Sequence, residues 1–280
     1  RFMWPRSIDL DQSGRVYVSD EYLNRISVFD AEGAFRYHFG RSGNGEGEMN
    51  GHVVGNLLIV ALWEQLGDHV GALDIVGRLL GAKGRVLPMA LCPMDIHAEV
   101  RGLHPEDPEA LEVVRGQVEV ATTEGVIASV ALDPPAPPTS PEALDAVAGA
   151  DWIFLGPGSW FSSVIPHLLV PDLREALTST DAKVVVVLNL AEQPGETGGF
   201  SPADHLSVLL EHAPDLRLHS VLADAGTLRR AGAEAAWHLE EVTSAVGARL
   251  VLADVAAADG SPRHDPRLLA DAYEKVMAGA

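Results

Sequence analysis

Apolar and polar positions follow two different rhythms along the chain. Up to residue 50 the apolar residues come in short alternating runs. Ser7–Leu10, Val16–Ser19, Ile26–Phe29 and Phe35–Phe39 are rich in β-branched and aromatic residues, which favours strands. The clusters Asp11-Gln12-Ser13-Gly14 and Asp30-Ala31-Glu32-Gly33 separate them as turns. Four short antiparallel strands in so short a span are the content of one propeller blade. A glycine-rich stretch, Gly40 to Gly47, follows.

From residue 51 the rhythm becomes that of alternating helices and strands. Asn56–Gln65 and His69–Leu80 carry apolar residues at helical spacing. Arg85–Ala90 is a strand candidate. Gln117–Ala121 and Val126–Leu132 flank Thr122-Thr123-Glu124-Gly125 and predict a hairpin. Asp133–Pro141 contains five prolines and reads as a loop. Ser140 then caps a helix with Pro141 at its first position. Asp151–Leu155, Val184–Leu190, Leu218–Leu222 and Arg249–Val255 are expected strands. Between and after them, helices are expected to about Leu169, over Pro171–Leu177, from Ser201-Pro202, over Glu234–Val246 and over Pro266–Met277, the last capped by Asp265. Such alternation implies a parallel sheet covered on both faces.

Composition narrows the class. The 280 residues carry 40 acidic and 20 basic side chains, a formal charge of −20, which disfavours nucleic acid and anionic membrane surfaces as partners. No apolar run is long enough to span a membrane. The single cysteine, Cys92, excludes an internal disulfide framework and fits a reducing compartment, so a cytoplasmic location is expected. A buried, inert thiol is its expected state.

Three segments could carry chemistry. The first is Gly156-Pro157-Gly158-Ser159, which joins an apolar strand to a helix. A glycine turn there lets the backbone approach a ligand, and the helix N-terminus offers N–H groups and partial positive charge to a phosphate or diphosphate. A plain tight turn explains the same residues about as well. The second is the loop from Asn189 through Gln193, Glu196 and Thr197 to Phe200, again at the carboxyl end of a strand. Its amides, carboxylate and hydroxyl suit a base or a sugar; a solvated polar loop is the plain alternative. The third is Gly51-His52-Val53-Val54-Gly55-Asn56 ahead of a helix, where His52 or Asn56 could meet a ligand, or Asn56 could simply be a cap. His205 and His212 stand seven apart on one helix face without a third ligand, so two solvated histidines are expected rather than a metal site. Gly158-Ser159-Trp160 lacks the flanking glycines of a nucleophile elbow. Trp152 and Trp160 are expected in the core.

Two resemblances give these segments a context. Pro5, Ile8, Asp9, Gly14, Tyr17-Val18-Ser19-Asp20, Asn24-Arg25-Ile26, Val28-Phe29-Asp30, Gly33 and Phe39-Gly40 resemble an NHL repeat, present in one copy. Further on, Gly51-His52 with Gly55-Asn56, Gly84-Arg85-Val86-Leu87-Pro88, Arg115-Gly116-Gln117, Gly156-Pro157-Gly158-Ser159, Asn189 with Gln193, Gly195-Glu196-Thr197 and Arg263-His264-Asp265 resemble the YvcK family of gluconeogenesis factors, within the CofD-like superfamily. That resemblance implies a three-layer α/β/α, Rossmann-like domain with a mostly parallel sheet. It also implies a cytoplasmic regulatory protein that binds a UDP-sugar of the UDP-N-acetylglucosamine type, without established turnover or a resident cofactor. The implied role is in carbon use, cell shape and wall-precursor synthesis. The implied ligand residues are Gly156, Pro157, Gly158, Ser159, Asn189, Gln193, Glu196 and Thr197, with His52 and Asn56 at the mouth. The CofD branch implies an alternative: a Mg²⁺-dependent transferase moving a phospholactyl or phosphoenolpyruvyl group onto the deazaflavin Fo. An NHL-type interaction scaffold is a third reading.

The expected organisation is therefore an NHL-like blade over residues 1–50 and a YvcK/CofD-like domain over 51–280. That domain lacks its opening βα units, with their phosphate loop and Asp-Asp-Gly-Gly-Ser-type segment. The chain begins at Arg1 and changes pattern abruptly near Asn50. A joined or truncated gene product is expected over a genuine fusion, because one blade has no core of its own. A homo-oligomer is compatible with the sequence.

Overall fold

The computed structural model describes residues 5–10, 16–20, 25–30, 34–39, 54–193 and 195–279. They fall into two compact units, Arg1–Pro88 and Met89–Ala280, described separately below.

In the first unit, β1 (Pro5–Leu10), β2 (Val16–Asp20), β3 (Arg25–Phe29) and β4 (Phe35–Phe39) form an antiparallel meander in that order. These are the four expected strands. Past β3, Asp30 accepts the Ala34 N–H at 2.7 Å and pairs with Arg36 at 2.9 Å. Helices α1 (Val54–Leu66) and α2 (His69–Leu79) follow. The predicted strand Arg85–Ala90 is irregular. Pro88 removes a ladder donor, and the Arg85 guanidinium instead reaches Asp74 of α2 through two bonds of 2.9 Å.

The second unit holds two sheets. β8 (Trp152–Leu155), β9 (Lys183–Val187), β10 (Leu218–Asp224) and β11 (Arg249–Ala253) pair in sequence order, all parallel. Side chains alternate across a strand, and each face has its own cover. Val184, Val186, Val221 and Ala223 join one core. There they meet α5 (Ile165–Leu169), α6 (Pro171–Ser179), α7 (Pro202–His212) and α9 (Ala233–Ala245). Val185, Val187 and Leu222 face the opposite way, onto Ala272 and Val276 of α10 (Pro266–Ala278). The expected α/β/α layering is thus present. α4 (Pro141–Ala148) precedes β8, and α8 (Ala225–Ala231) follows β10.

The second sheet is antiparallel, in the order β6 (Glu112–Arg115), β5 (Asp95–Arg101), β7 (Val126–Asp133). Its buried Ile96, Ala98, Val100, Ile127, Val130 and Leu132 belong to the same core as α5–α7. Here the predicted hairpin is corrected. Gln117–Ala121 is a single helical turn, α3, that buries Val120. β7 pairs with β5, where Asp95 faces Asp133 and Ala98 faces Val130.

Caps fix the helix starts. Ser201 and Asp204 form a reciprocal capping box on α7, and Asp265 accepts the Arg267 and Leu268 N–H groups at 2.8 and 3.1 Å. Ser140 occupies the cap position of α4 as expected, but its hydroxyl donates to Glu142 instead of accepting from the backbone. Among the described residues, no helix is long and apolar enough to cross a membrane.

Leu206, fully buried in α7, tests the larger core. Leu206→Ala is expected to cost about 2–5 kcal/mol. Leu252→Ala, at a position 52% exposed, should cost under about 1 kcal/mol. Urea unfolding midpoints of the two variants compare them directly.

Candidate functional site

The carboxyl ends of β8, β9 and β10 open onto loops that carry most of the predicted residues. Gly156 turns the chain out of β8 with φ +84°, and a Cβ there would lie 2.8 Å from the Val187 carbonyl oxygen of β9. Only glycine passes so close. Gly195 in the next loop has φ +92°, and its Cβ would lie 2.6 Å from the Ala121 carbonyl oxygen. The two loops therefore sit tight against neighbouring backbone.

Side chains then cross between the loops. Asn189 Oδ1 accepts the Gly158 N–H at 3.1 Å, and Asn189 Nδ2 donates to the Gly158 carbonyl at 2.7 Å. Nδ2 also reaches Gln193 Oε1 at 3.2 Å, and Gln193 Nε2 donates to Ser159 Oγ at 3.2 Å. The Thr197 hydroxyl, fully buried, accepts the Gln193 N–H at 2.8 Å. Glu196, 4% exposed, accepts the Phe161 N–H at 2.9 Å and the Ser162 hydroxyl proton. It thus lies at the first turn after Ser159, a π-helical turn over Trp160–Val164 that runs into α5. Part of the positive helix end predicted for a phosphate is met by a carboxylate of the chain itself.

A third polar centre was missed in the sequence. Asp224 ends β10 and caps α8. Its carboxylate accepts the Thr227 N–H at 2.6 Å and the Val255 N–H at 2.9 Å. Burial pushes this carboxyl up, yet donors from Val255, Thr227 and Ala256 outweigh it and hold it below the ordinary value. Thr227 Oγ1 donates to the Leu190 carbonyl at 3.0 Å, which ties the loop after β9 to α8. The signal was present: a carboxylate at a strand's carboxyl end, three residues before a threonine.

The loops after β8 and β9 line a crevice of about 640 Å³ through Pro157, Gly158, Ser159, Asn189, Glu192, Gln193 and Glu196, together with Arg263 and His264, a size that suits a small ligand. Arg263 is exposed and pairs with Asp259 at 3.0 Å. Burial lowers the pKa of His264, against a bond to the Leu188 carbonyl and the nearby Asp224 charge. His264 Nε2 is buried without a protein partner.

The structure therefore brings together Gly156, Pro157, Gly158, Ser159, Asn189, Gln193, Glu196 and Thr197, the last as an internal brace. His52 lies outside the described residues. Asn56 sits exposed in the first turn of α1, in the first unit. The expectation of two solvated histidines is corrected. His205 is 4% exposed because the rings of Trp160 and Phe200 pack on it at 5.3 and 5.4 Å. Among the described residues, no group of three or more His, Cys, Asp or Glu is placed to hold a metal. Cys92 is a free, half-buried thiol, and Trp160 is fully buried as expected.

Fold and crevice together define an α/β protein with a cavity of about 640 Å³ at the carboxyl edge of a parallel sheet, where such sheets meet their ligands. The chain belongs to the CofD family: the family described as 2-phospho-L-lactate transferase CofD matches residues 25–256. A Mycobacterium tuberculosis protein named "Putative gluconeogenesis factor" is 46% identical over 234 residues, 84% of this chain and 67% of that protein. A protein of the same name from Nostoc is 33% identical over 257 residues, 88% of this chain and 54% of its own length. The crystal structure of a UPF0052 family member from Bacillus halodurans superposes with a TM-score of 0.67 at 26% identity, over 83% of this chain and 74% of that one. The chain thus spans about two thirds of its mycobacterial relative and about half of its Nostoc relative.

Asp224 yields a pH prediction. A carboxyl with a depressed folded-state pKa contributes stability that is full above its unfolded value, about 3.9. That stability is lost as pH falls through the folded value. Asp224→Asn is expected to cost about 1–3 kcal/mol at pH 7, because one N–H donor then faces an amide NH₂. The gap to wild type should close on acidification below pH 4. Chemical denaturation of both proteins across pH 3–7 measures it.

Proposed function

We propose that this protein binds a nucleotide-activated sugar, of the UDP-N-acetylglucosamine type, in the crevice between Ser159, Gln193 and Arg263. It acts there as a cytoplasmic regulator linked to carbon metabolism, cell shape and cell-wall precursor synthesis. One observation carries the reading: a glycine turn, the Asn189 and Gln193 amides and the Arg263 guanidinium converge on one cavity of about 640 Å³ at the edge where open α/β sheets bind nucleotides. The names of the curated relatives support the regulatory role. In this reading Gly156, Pro157, Gly158 and Ser159 approach the diphosphate and Arg263 neutralises it. Asn189 and Gln193 read polar groups of the ligand, while Glu196 and Thr197 hold the loop that carries them. Residues 1–50 are assigned to a single NHL-type blade.

The family description, 2-phospho-L-lactate transferase, favours a second reading; by the resemblance to the CofD branch it is transfer of a phosphorus-containing group to deazaflavin Fo in the presence of Mg²⁺. Incubation with Fo, a guanosine-linked donor and Mg²⁺ should leave the Fo mass unchanged if the regulatory reading holds. A mass increase would establish the transferase.

Isothermal titration with UDP-N-acetylglucosamine tests the binding. Saturable heat is expected. Arg263→Ala should weaken affinity by about 10- to 100-fold, the worth of a charge-assisted hydrogen bond. Because Arg263 is exposed, the variant should keep its melting temperature. Absence of heat, and of any thermal shift, at millimolar ligand would rule the reading out.

A further inference from the structure

β11 is the outermost strand of the parallel sheet. It pairs with β10 on one side, and among the described residues no strand pairs with its other side. An edge of this kind leaves a row of backbone N–H and C=O groups for another strand, and folded chains blunt it with charges, prolines, bulges or cover. The other sheet edges of the second unit carry such devices. β6 holds Glu112 and Arg115, the ladder of β7 on β5 shifts register between Glu99 and Val100, and every residue of β8 is half-buried or buried.

β11 has none of them. Its residues are Arg249, Leu250, Val251, Leu252 and Ala253, and its register on β10 runs unshifted over all five. The one charge is turned away, because the Arg249 guanidinium donates to the Gly279 and Val276 carbonyls at the end of α10, at 2.7 and 3.2 Å. Leu250 and Leu252 share a face of the strand. Leu250 packs there against the core that includes Leu239 of α9, but Leu252 stays 52% exposed, and α9 adds Trp237 at 63%.

An uncharged strand with an open backbone edge is matched by a strand of the same kind, and each further copy of the chain brings one. A two-fold axis normal to the sheet sets two β11 strands antiparallel, with Val251 facing Val251, Leu250 facing Leu252 and Arg249 facing Ala253. No like charges meet in that register, and both leucine pairs fall on the α9 side of the sheet. Asp254, just past the strand, faces Ala248 and keeps its own cation, Arg229, at 3.1 Å. The charge of −20 opposes contact between acidic surfaces, and these five residues are where two copies can meet without it.

We infer that β11 is the interface of a homodimer in which two four-stranded sheets join edge to edge. The two halves run antiparallel, so the crevices open at opposite ends of the joined sheet. No residue of β11 lines a crevice, and the inference stands independently of the proposed ligand.

The test uses the full chain. Sedimentation velocity over about 1–300 µM, the range in which a small interface associates, should show monomer passing to dimer and nothing larger. Leu252→Lys puts a charge on the joined edge and should raise the dissociation constant at least about tenfold. Its urea midpoint at the low end of that range should match wild type, because Leu252 is a surface position in the single copy. A cross-link checks the register. In a Cys92→Ser background, which removes the chain's own thiol, Val251→Cys places two sulfurs at facing positions, about 4.5–5.5 Å apart at Cα and within disulfide reach. Mild oxidation should yield a disulfide-linked dimer there, and none from Asp181→Cys, an exposed position ahead of β9. A monomer at every concentration overturns the inference. So does a dimer that Leu252→Lys leaves intact or that Val251→Cys does not lock, since the contact then lies elsewhere. Should Val251→Cys fail to fold, the Leu252→Lys comparison decides alone.

Discussion

The carboxyl edge of the parallel sheet depends on one side chain that behaves as backbone. Ladder pairing between β8 and β9 extends to Leu155 and Val186, and Gly156 then turns the chain away. Asn189 takes over at that point. Its amide accepts from and donates to the same residue, Gly158, much as a strand partner would. This two-way bond holds the loops after β8 and β9 together where the sheet can no longer do so. It also presents Gln193 to Ser159. A side chain with only acceptors or only donors could satisfy one half of the pair. The other half would be left unpaired in a partly buried place, where the loss is costly.

Glu196 sets a second constraint, on where an anion can go. The helix that starts after Ser159 would be a ready phosphate site if its first N–H groups were open. Glu196 already accepts from Phe161 and Ser162, and Asn189 already accepts from Gly158. Under the proposed function, a diphosphate in this crevice would therefore lie toward the Ser159 hydroxyl and Arg263, away from the helix axis. The internal carboxylate stabilises the turn in the empty protein, and the guanidinium on the facing segment supplies the charge that the helix end no longer offers.

Much of this fold was legible from residue 1 onward, and the exceptions share a cause. Val184–Leu190 reads as a central strand because four consecutive valines satisfy both covered faces, and β9 forms over Lys183–Val187. The starts of α7 and α10 read directly, because capping signals are local. Gln117–Ala121 was misread because Val118 and Val120 alternate as in a strand, and five residues are too few to show a helical period. β7 then found its partner in β5, some thirty residues earlier in the chain, a pairing that no local pattern encodes. His205 was misplaced for a related reason. Spacing from His212 shows that the two share a face, but not what packs on it. That depends on Trp160 and Phe200, brought in by other elements. The candidate loops were visible from their glycines and amides. The roles of Glu196 and Asp224 were not, because their partners Phe161 and Val255 lie 35 and 31 residues away.

The acidic composition stands against the proposed anionic ligand until charges are placed individually. A formal charge of −20 is a property of the whole surface and falls off over about 8–10 Å in physiological salt. In and beside the crevice the balance is local, and the exposed Glu192 is part of its lining. Glu196 is buried and spent on Phe161 and Ser162. His264 is kept toward its neutral form by burial. Asp224, the carboxylate held charged by its donors, has those charges met by backbone N–H groups of Thr227 and Val255. Arg263 is left as the cation of the lining, steadied by Asp259 and Ser261. The lining thus holds one guanidinium, already paired with Asp259, and the exposed Glu192 carboxylate in the same wall. The acidic exterior still repels polyanions that lack a group able to enter. Under the proposed function, the overall charge would act on selectivity and the contents of the crevice on affinity.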